Sequence, residues 1–160
     1  VARLTGLGSL LVTTAVVLGG LRLAHVATPM FFPRTHPGPI VLEDPSDARD
    51  VLERRPWVPS YRPRSLGESP PTVVVVRLPH PQLRLEWAGE HRLTVTQTRG
   101  GDPGRPPGDA RPMPDVEGAW LAREGDATVV TLERDGLRIR VVTDLPLSDV
   151  DRLVRSLRPA

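Results

Sequence analysis

Cysteine is absent from all 160 residues, which excludes disulfides, thiolate metal sites and a cysteine nucleophile. Lysine and asparagine are also missing, so all 21 basic residues are arginine. That usage reads as the codon bias of a GC-rich bacterial genome rather than as a functional signal. It also reconciles a sequence pI near 10.2 with a formal net charge of only +2, because arginine does not titrate below about pH 12. Acids nearly balance bases, 19 against 21, and aromatics make up 4% of the chain. A nucleic-acid partner is not expected from such a surface.

Catalytic patterns are scarce as well. No Gly-x-Ser-x-Gly elbow occurs, and Ser60, Ser65 and Ser69 fall in proline-rich sequence with no histidine placed beside them. The run from Arg99 to Gly104 is glycine-rich, but Pro103 interrupts it and no helix pattern follows, so it is not a phosphate loop. His25, His36, His80 and His91 lack the paired spacings of metal ligands. The remaining option is for His80 and His91 to meet across a hairpin; two unrelated surface histidines are the plainer expectation. No enzyme activity, cofactor or metal is expected.

What is present starts at the N-terminus. From Leu4 to Leu21 there is no charged side chain, and a membrane span needs roughly 20 mostly apolar residues. The expectation is a transmembrane anchor over residues 1–27, meeting the bilayer through residues 4–26. A cleaved signal peptide and a buried helix are the competing readings. His25 spoils the small-x-small site that cleavage after Ala27 would require, and the run has no polar face for a surface helix. Arg3 precedes the run, while Arg22, His25 and Arg34 lie at or beyond its end, so the positive-inside rule does not decide orientation. The expected side for the rest of the chain is outside the cytoplasm.

Residues 28–42, punctuated by Pro29, Pro33, Pro37 and Pro39, read as a semi-rigid stalk. Residues 43–160 read as one domain. Asp44 caps a short helix with Pro45 in its first position and Asp47 in its first turn; Ala48, Val51 and Leu52 form its apolar stripe, and Pro56 is expected to stop it. Trp57–Pro63 reads as a non-regular aromatic cover lying over a sheet.

The period then changes to two. Strands are expected at 72–78, 83–87 and 92–98, with Leu93, Val95 and Gln97 sharing one face. After a long Gly/Pro loop over 99–115 come strands around Trp120–Leu121, 127–133 and 137–141, the last two joined by an Asp135-Gly136 turn. A final helix carries the stripe Val150, Leu153, Val154 and Leu157, with Ser148 and Asp151 as an acidic capping box. The fold class is α+β: a curved antiparallel sheet of five to six strands with flanking helices.

These segments, in this order, resemble the bacterial domain-of-unknown-function family 4367. One block is Val58-Pro59-Ser60-Tyr61-Arg62-Pro63, similar to that family's P-x-Y-L-P-x-G opening, with Arg62 where an apolar residue is usual and no glycine until Gly67. The other runs from Val116-Glu117-Gly118 through Asp135-Gly136 and Leu147-Ser148 to Ser156-Leu157. The resemblance implies an extracytoplasmic domain behind a single span, related to lipoprotein-carrier folds in which a half-open sheet cups an apolar ligand. It implies no catalytic residue. The anti-sigma arrangement seen in such families is not expected, because no cytosolic zinc module precedes the run.

Four functions remain open: a non-catalytic tethered module that binds or senses an envelope protein or apolar ligand, a structural accessory of a membrane complex, a lipid or lipoprotein carrier, and a hydrolase, kept only because one fold hosts many functions. Trp57, Tyr61, Trp87 and Trp120 are the candidate contact residues, with plain core packing as the alternative role. Arg84, Arg92, Arg138 and Arg140 are expected along a solvent face of the sheet, and Arg152, Arg155 and Arg158 along the last helix, paired with nearby acids or facing anionic lipid.

Overall fold

The computed structural model describes residues 38–77, 80–100 and 109–160. The described residues belong to one compact unit, Pro37–Ala160. The anchor expected over residues 4–26 lies outside them. No helix among the described residues is long and apolar enough to cross a membrane.

Strands β1 (Ile40–Leu42), β3 (Thr72–Val76), β4 (Gln82–Ala88), β5 (Arg92–Arg99), β6 (Arg111–Pro112), β7 (Trp120–Glu124), β8 (Ala127–Arg134) and β9 (Leu137–Thr143) form one antiparallel sheet in the order β1-β3-β4-β5-β9-β8-β7-β6. Strands β2 (Trp57–Pro59) and β10 (Leu157–Pro159) form a separate pair. A 3₁₀ turn at Pro45–Ala48 leads into α1 (Arg49–Leu52), and α2 spans Leu147–Arg155. The class is α+β, as expected, but the sheet has eight strands rather than five or six. The two additions are its edges. Strand β1 takes the last three residues assigned to the stalk, and β6 takes two from the long loop.

Alternation explains the sheet. Val73 and Val75, Leu83 and Leu85, Leu93 and Val95, and Leu137, Ile139 and Val141 are all buried on one face, and their neighbours in sequence turn to the other. Fully burying each such side chain contributes about 1.5–3 kcal/mol. The opposite face carries threonine and arginine in register: Arg84 opposes Thr96, which opposes Arg140, and Thr98 opposes Arg138. The arginines lie where the alternation put them. Arg84 pairs with Glu86 at 3.0 Å and Arg140 holds Glu124 through both carboxylate oxygens; exposed pairs of this kind contribute about 0–1 kcal/mol each.

The β8–β9 turn requires two left-handed residues, and Asp135 and Gly136 supply them at φ 50° and 74°. Asp44 caps as expected, accepting from Ser46 N at 2.7 Å. Glu53, left-handed at φ 53°, ends α1 before Pro56 can.

The capping box at Ser148 and Asp151 is not formed. Helix α2 starts at Leu147 behind Pro146, whose carbonyl takes Asp149 N at 2.9 Å and Val150 N at 3.1 Å, with no side-chain cap. Ser148 therefore lies inside the first turn, past the capping position, and Asp151 pairs with Arg155 one turn on. Val150, Leu153, Val154 and Leu157 are buried as expected, but Leu157 lies past the end of the helix, in β10.

A polar clasp joins the β4–β5 turn to the β9–α2 link. Asp144 Oδ1 accepts from Arg92 N at 2.8 Å and lies 3.4 Å from His91 Nδ1, while Thr143 Oγ1 donates to Arg92 O at 2.7 Å. The Arg92 backbone bond, ahead of the His91 contribution, holds the Asp144 carboxyl below its ordinary value. A carboxyl depressed in the folded state stabilises above its unfolded pKa, about 3.9, and that contribution disappears as pH falls through the folded value. Asp144→Asn is therefore expected to be less stable than the parent at pH 7, with the gap narrowing as pH falls below the unfolded pKa of about 3.9. Urea midpoints across that range check it; a gap independent of pH would contradict the ionic role.

Candidate functional site

The aromatic cover is more ordered than a proline-punctuated segment suggests. Its first three residues are β2, antiparallel to β10, with Leu157 opposite Pro59 and Pro159 opposite Trp57. Ser156, at the end of α2, secures the next two. Its carbonyl accepts from Ser60 N at 3.1 Å and Ser60 Oγ at 2.9 Å, and its Oγ accepts from Tyr61 N at 3.0 Å. The Tyr61 hydroxyl donates to Asp149 Oδ1 at 2.8 Å.

Gln97 holds the other end. It is 0% exposed, in the stripe otherwise made of Leu93 and Val95. Its Oε1 accepts from Trp57 N at 2.7 Å, and its Nε2 donates to Trp57 O at 2.6 Å. The side-chain amide does for Trp57 what a neighbouring strand would do, and satisfies both backbone groups at once. Sequence reasoning placed Gln97 on the core face but assigned it no role. The available signal was a lone amide in an apolar stripe, since a buried polar group needs a partner.

Docked this way, the cover leaves a groove of about 450 Å³ between itself, the β1–α1 link and the β4–β5 hairpin. Glu43, Asp44 and Pro45 line one side, Val58 to Arg62 another, and Pro70 and Pro71 a third, with Trp87 and Leu93 at the base. Trp87 is 7% exposed, so only an edge of it reaches the groove. Arg62 is occupied elsewhere, donating to the carbonyls of Ser69 and Glu68 at 2.8 Å. Bonds from the Ser46 hydroxyl and then its backbone N–H hold the Asp44 carboxyl below its ordinary value, so it is ionised at neutral pH.

Of the four candidate residues, the structure brings Tyr61 and Trp87 together here. Trp57 is half-buried within the cover, its Nε1 enclosed with no acceptor among the described residues. Trp120 is elsewhere, 38% exposed at the other end of the sheet, beside a hollow of about 470 Å³ formed by Pro112 to Trp120. A smaller hollow of about 290 Å³ lies across β6, lined by Met113, Leu121, Leu147 and Asp151 among others.

The histidine pair does not assemble. His80 precedes β4 and His91 follows it, so a seven-residue strand separates them, about 20 Å at strand rise. Among the described residues no group of three His, Cys, Asp or Glu is placed to hold a metal ion. Ser60 Oγ donates to a carbonyl, and no base stands beside it among its described partners. The groove is built of rings, aliphatic edges and one acidic margin, which is the equipment of a binding surface.

No family model matches the chain, and a search of curated proteins finds no match to it.

Proposed function

We propose that the protein is a non-catalytic module, tethered to a membrane by its N-terminal apolar run, that binds an envelope ligand or protein partner outside the cytoplasm. The observation that carries the binding half is the groove in which Tyr61 and Trp87 meet under a cover anchored at both ends. A pre-formed concave site lined by aromatic and apolar groups, with few polar ones, is what a recognition module needs. The tether rests on the uncharged run from Leu4 to Leu21, whose length suits a bilayer. The Val58–Pro63 opening and the Val116–Leu157 block, similar to the extracytoplasmic family named above, support the location.

Protease added to spheroplasts tests this placement. The expected result is a chain that stays with the membranes through an alkaline carbonate wash and whose folded domain is cut from outside. A domain protected until the cells are lysed, or a chain released by the wash, would overturn it.

A further inference from the structure

We propose that the groove's ligand is an extended, proline-containing polypeptide with an arginine or lysine beside its prolines. The inference rests on the binding role proposed above and names the partner for the same site.

The lining argues for it first. Pro45, Pro59, Pro70 and Pro71 stand with the rings of Tyr61 and Trp87 around one open groove. A groove lined by rigid rings fits the polyproline II helix, which has three residues per turn and no internal hydrogen bonds. Rigid walls and a rigid ligand both lose little conformational entropy on association. Leu93 and Trp87 are buried, so the groove's accessible surface comes mainly from the prolines, Tyr61 and the acidic margin.

Charge argues for it second. Glu43 and Asp44 are exposed on one margin, and no cation reaches either of them among the described residues. Arg62, the groove's own cation, is turned to the carbonyls of Glu68 and Ser69. An alkyl ligand would gain nothing from two carboxylates, whereas a guanidinium or ammonium flanking the prolines completes them. Tyr61 is half-buried against the core, and the bond from its hydroxyl to Asp149 fixes the orientation of the ring edge that lines the groove.

The test is fluorescence anisotropy of a labelled, capped Pro-Pro-Arg-Pro-Pro-Arg peptide titrated into the full chain in lipid nanodiscs, with octanoate as a parallel titrant. Saturable peptide binding is expected, weakened about tenfold by Tyr61→Ala, as for a truncated aromatic anchor. Glu43→Gln, an exposed change that leaves the fold alone, is expected to weaken it several-fold and to reduce its salt dependence. Tyr61→Phe keeps the ring but loses the bond to Asp149 and is expected to bind between the parent and Tyr61→Ala, while the urea midpoint of each variant separates loss of the ring from loss of the fold. Peptide binding indifferent to Tyr61→Ala and Glu43→Gln would overturn the assignment to this groove. Octanoate binding that responds to Tyr61→Ala, with no peptide binding, would overturn the polypeptide and leave the binding role standing. If neither probe binds, the polypeptide assignment falls and the binding role loses its support.

Discussion

Gln97→Leu is expected to lower the unfolding free energy by about 3 kcal/mol, although it exchanges a polar core residue for an apolar one of similar size. Leucine suits the stripe that Gln97 shares with Leu93 and Val95, so neither cavity nor lost burial is the cause. The loss comes from Trp57, whose N–H and C=O both end on the Gln97 amide at 2.7 and 2.6 Å. With leucine there, two part-buried backbone groups have no partner, and each unsatisfied group costs about 1–3 kcal/mol. A domain of this size holds only about 5–15 kcal/mol in total. Urea unfolding followed by tryptophan emission measures the change, and the native spectrum should shift to the red as the Trp57 segment loosens. A loss below about 0.5 kcal/mol would show that the cover is held by β10 and Ser156 alone.

Gly89→Ala is the second large effect, expected at about 2–3 kcal/mol. The β4–β5 turn sits directly on the chain that follows the cover: Glu90 N and His91 N both donate to Ser65 O, at 2.9 and 3.3 Å. A Cβ on Gly89 would lie 2.6 Å from Ser65 O and 2.8 Å from the Leu66 carbonyl carbon. Both are backbone atoms that no side-chain rotation can clear, so the turn must lift away. Leu66, 1% exposed, would move with it. The same unfolding measurement applies; a change within about 0.5 kcal/mol would mean that the turn and the Ser65–Leu66 segment are not in contact in solution.

Both substitutions act on the cover, and the cover is also where sequence and structure differ most. The period-two strands were legible because burial on one face and exposure on the other impose alternation along β3, β4, β5 and β9. The Asp135-Gly136 turn and the Asp44 cap were legible because each is decided by the local conformation of one or two residues. Strands β1, β6, β2 and β10 were not. Each has two or three residues, all four contain or adjoin proline, and each is a strand only because a partner lies beside it. For β2 that partner is β10, about a hundred residues away, and no window along the sequence contains both. The α2 start was misplaced for a smaller reason: Pro146 opens the helix through its backbone carbonyl, so the serine that looked like a cap is already inside.

The candidate residues divide along the same line. An aromatic is visible in sequence, but which aromatics share a groove depends on the long-range docking of the cover. Tyr61 lines the same groove as Trp87, held in place by Asp149 on α2 and by Ser156 just past its end. Trp120 is carried to the far end by the sheet order. The groove's acidic margin was equally hidden, since Glu43 and Asp44 come from the link between β1 and α1.

The chain has three tryptophans, and their indole N–H resonances, read as the Pro/Arg peptide and octanoate are added in turn, report directly on whether the groove is a binding site. Movement of the Trp87 resonance to saturation with one of these ligands, while that of Trp120 stays in place, is the predicted outcome. A Trp87 resonance that ignores both ligands, or a Trp120 resonance that moves alone, would contradict it.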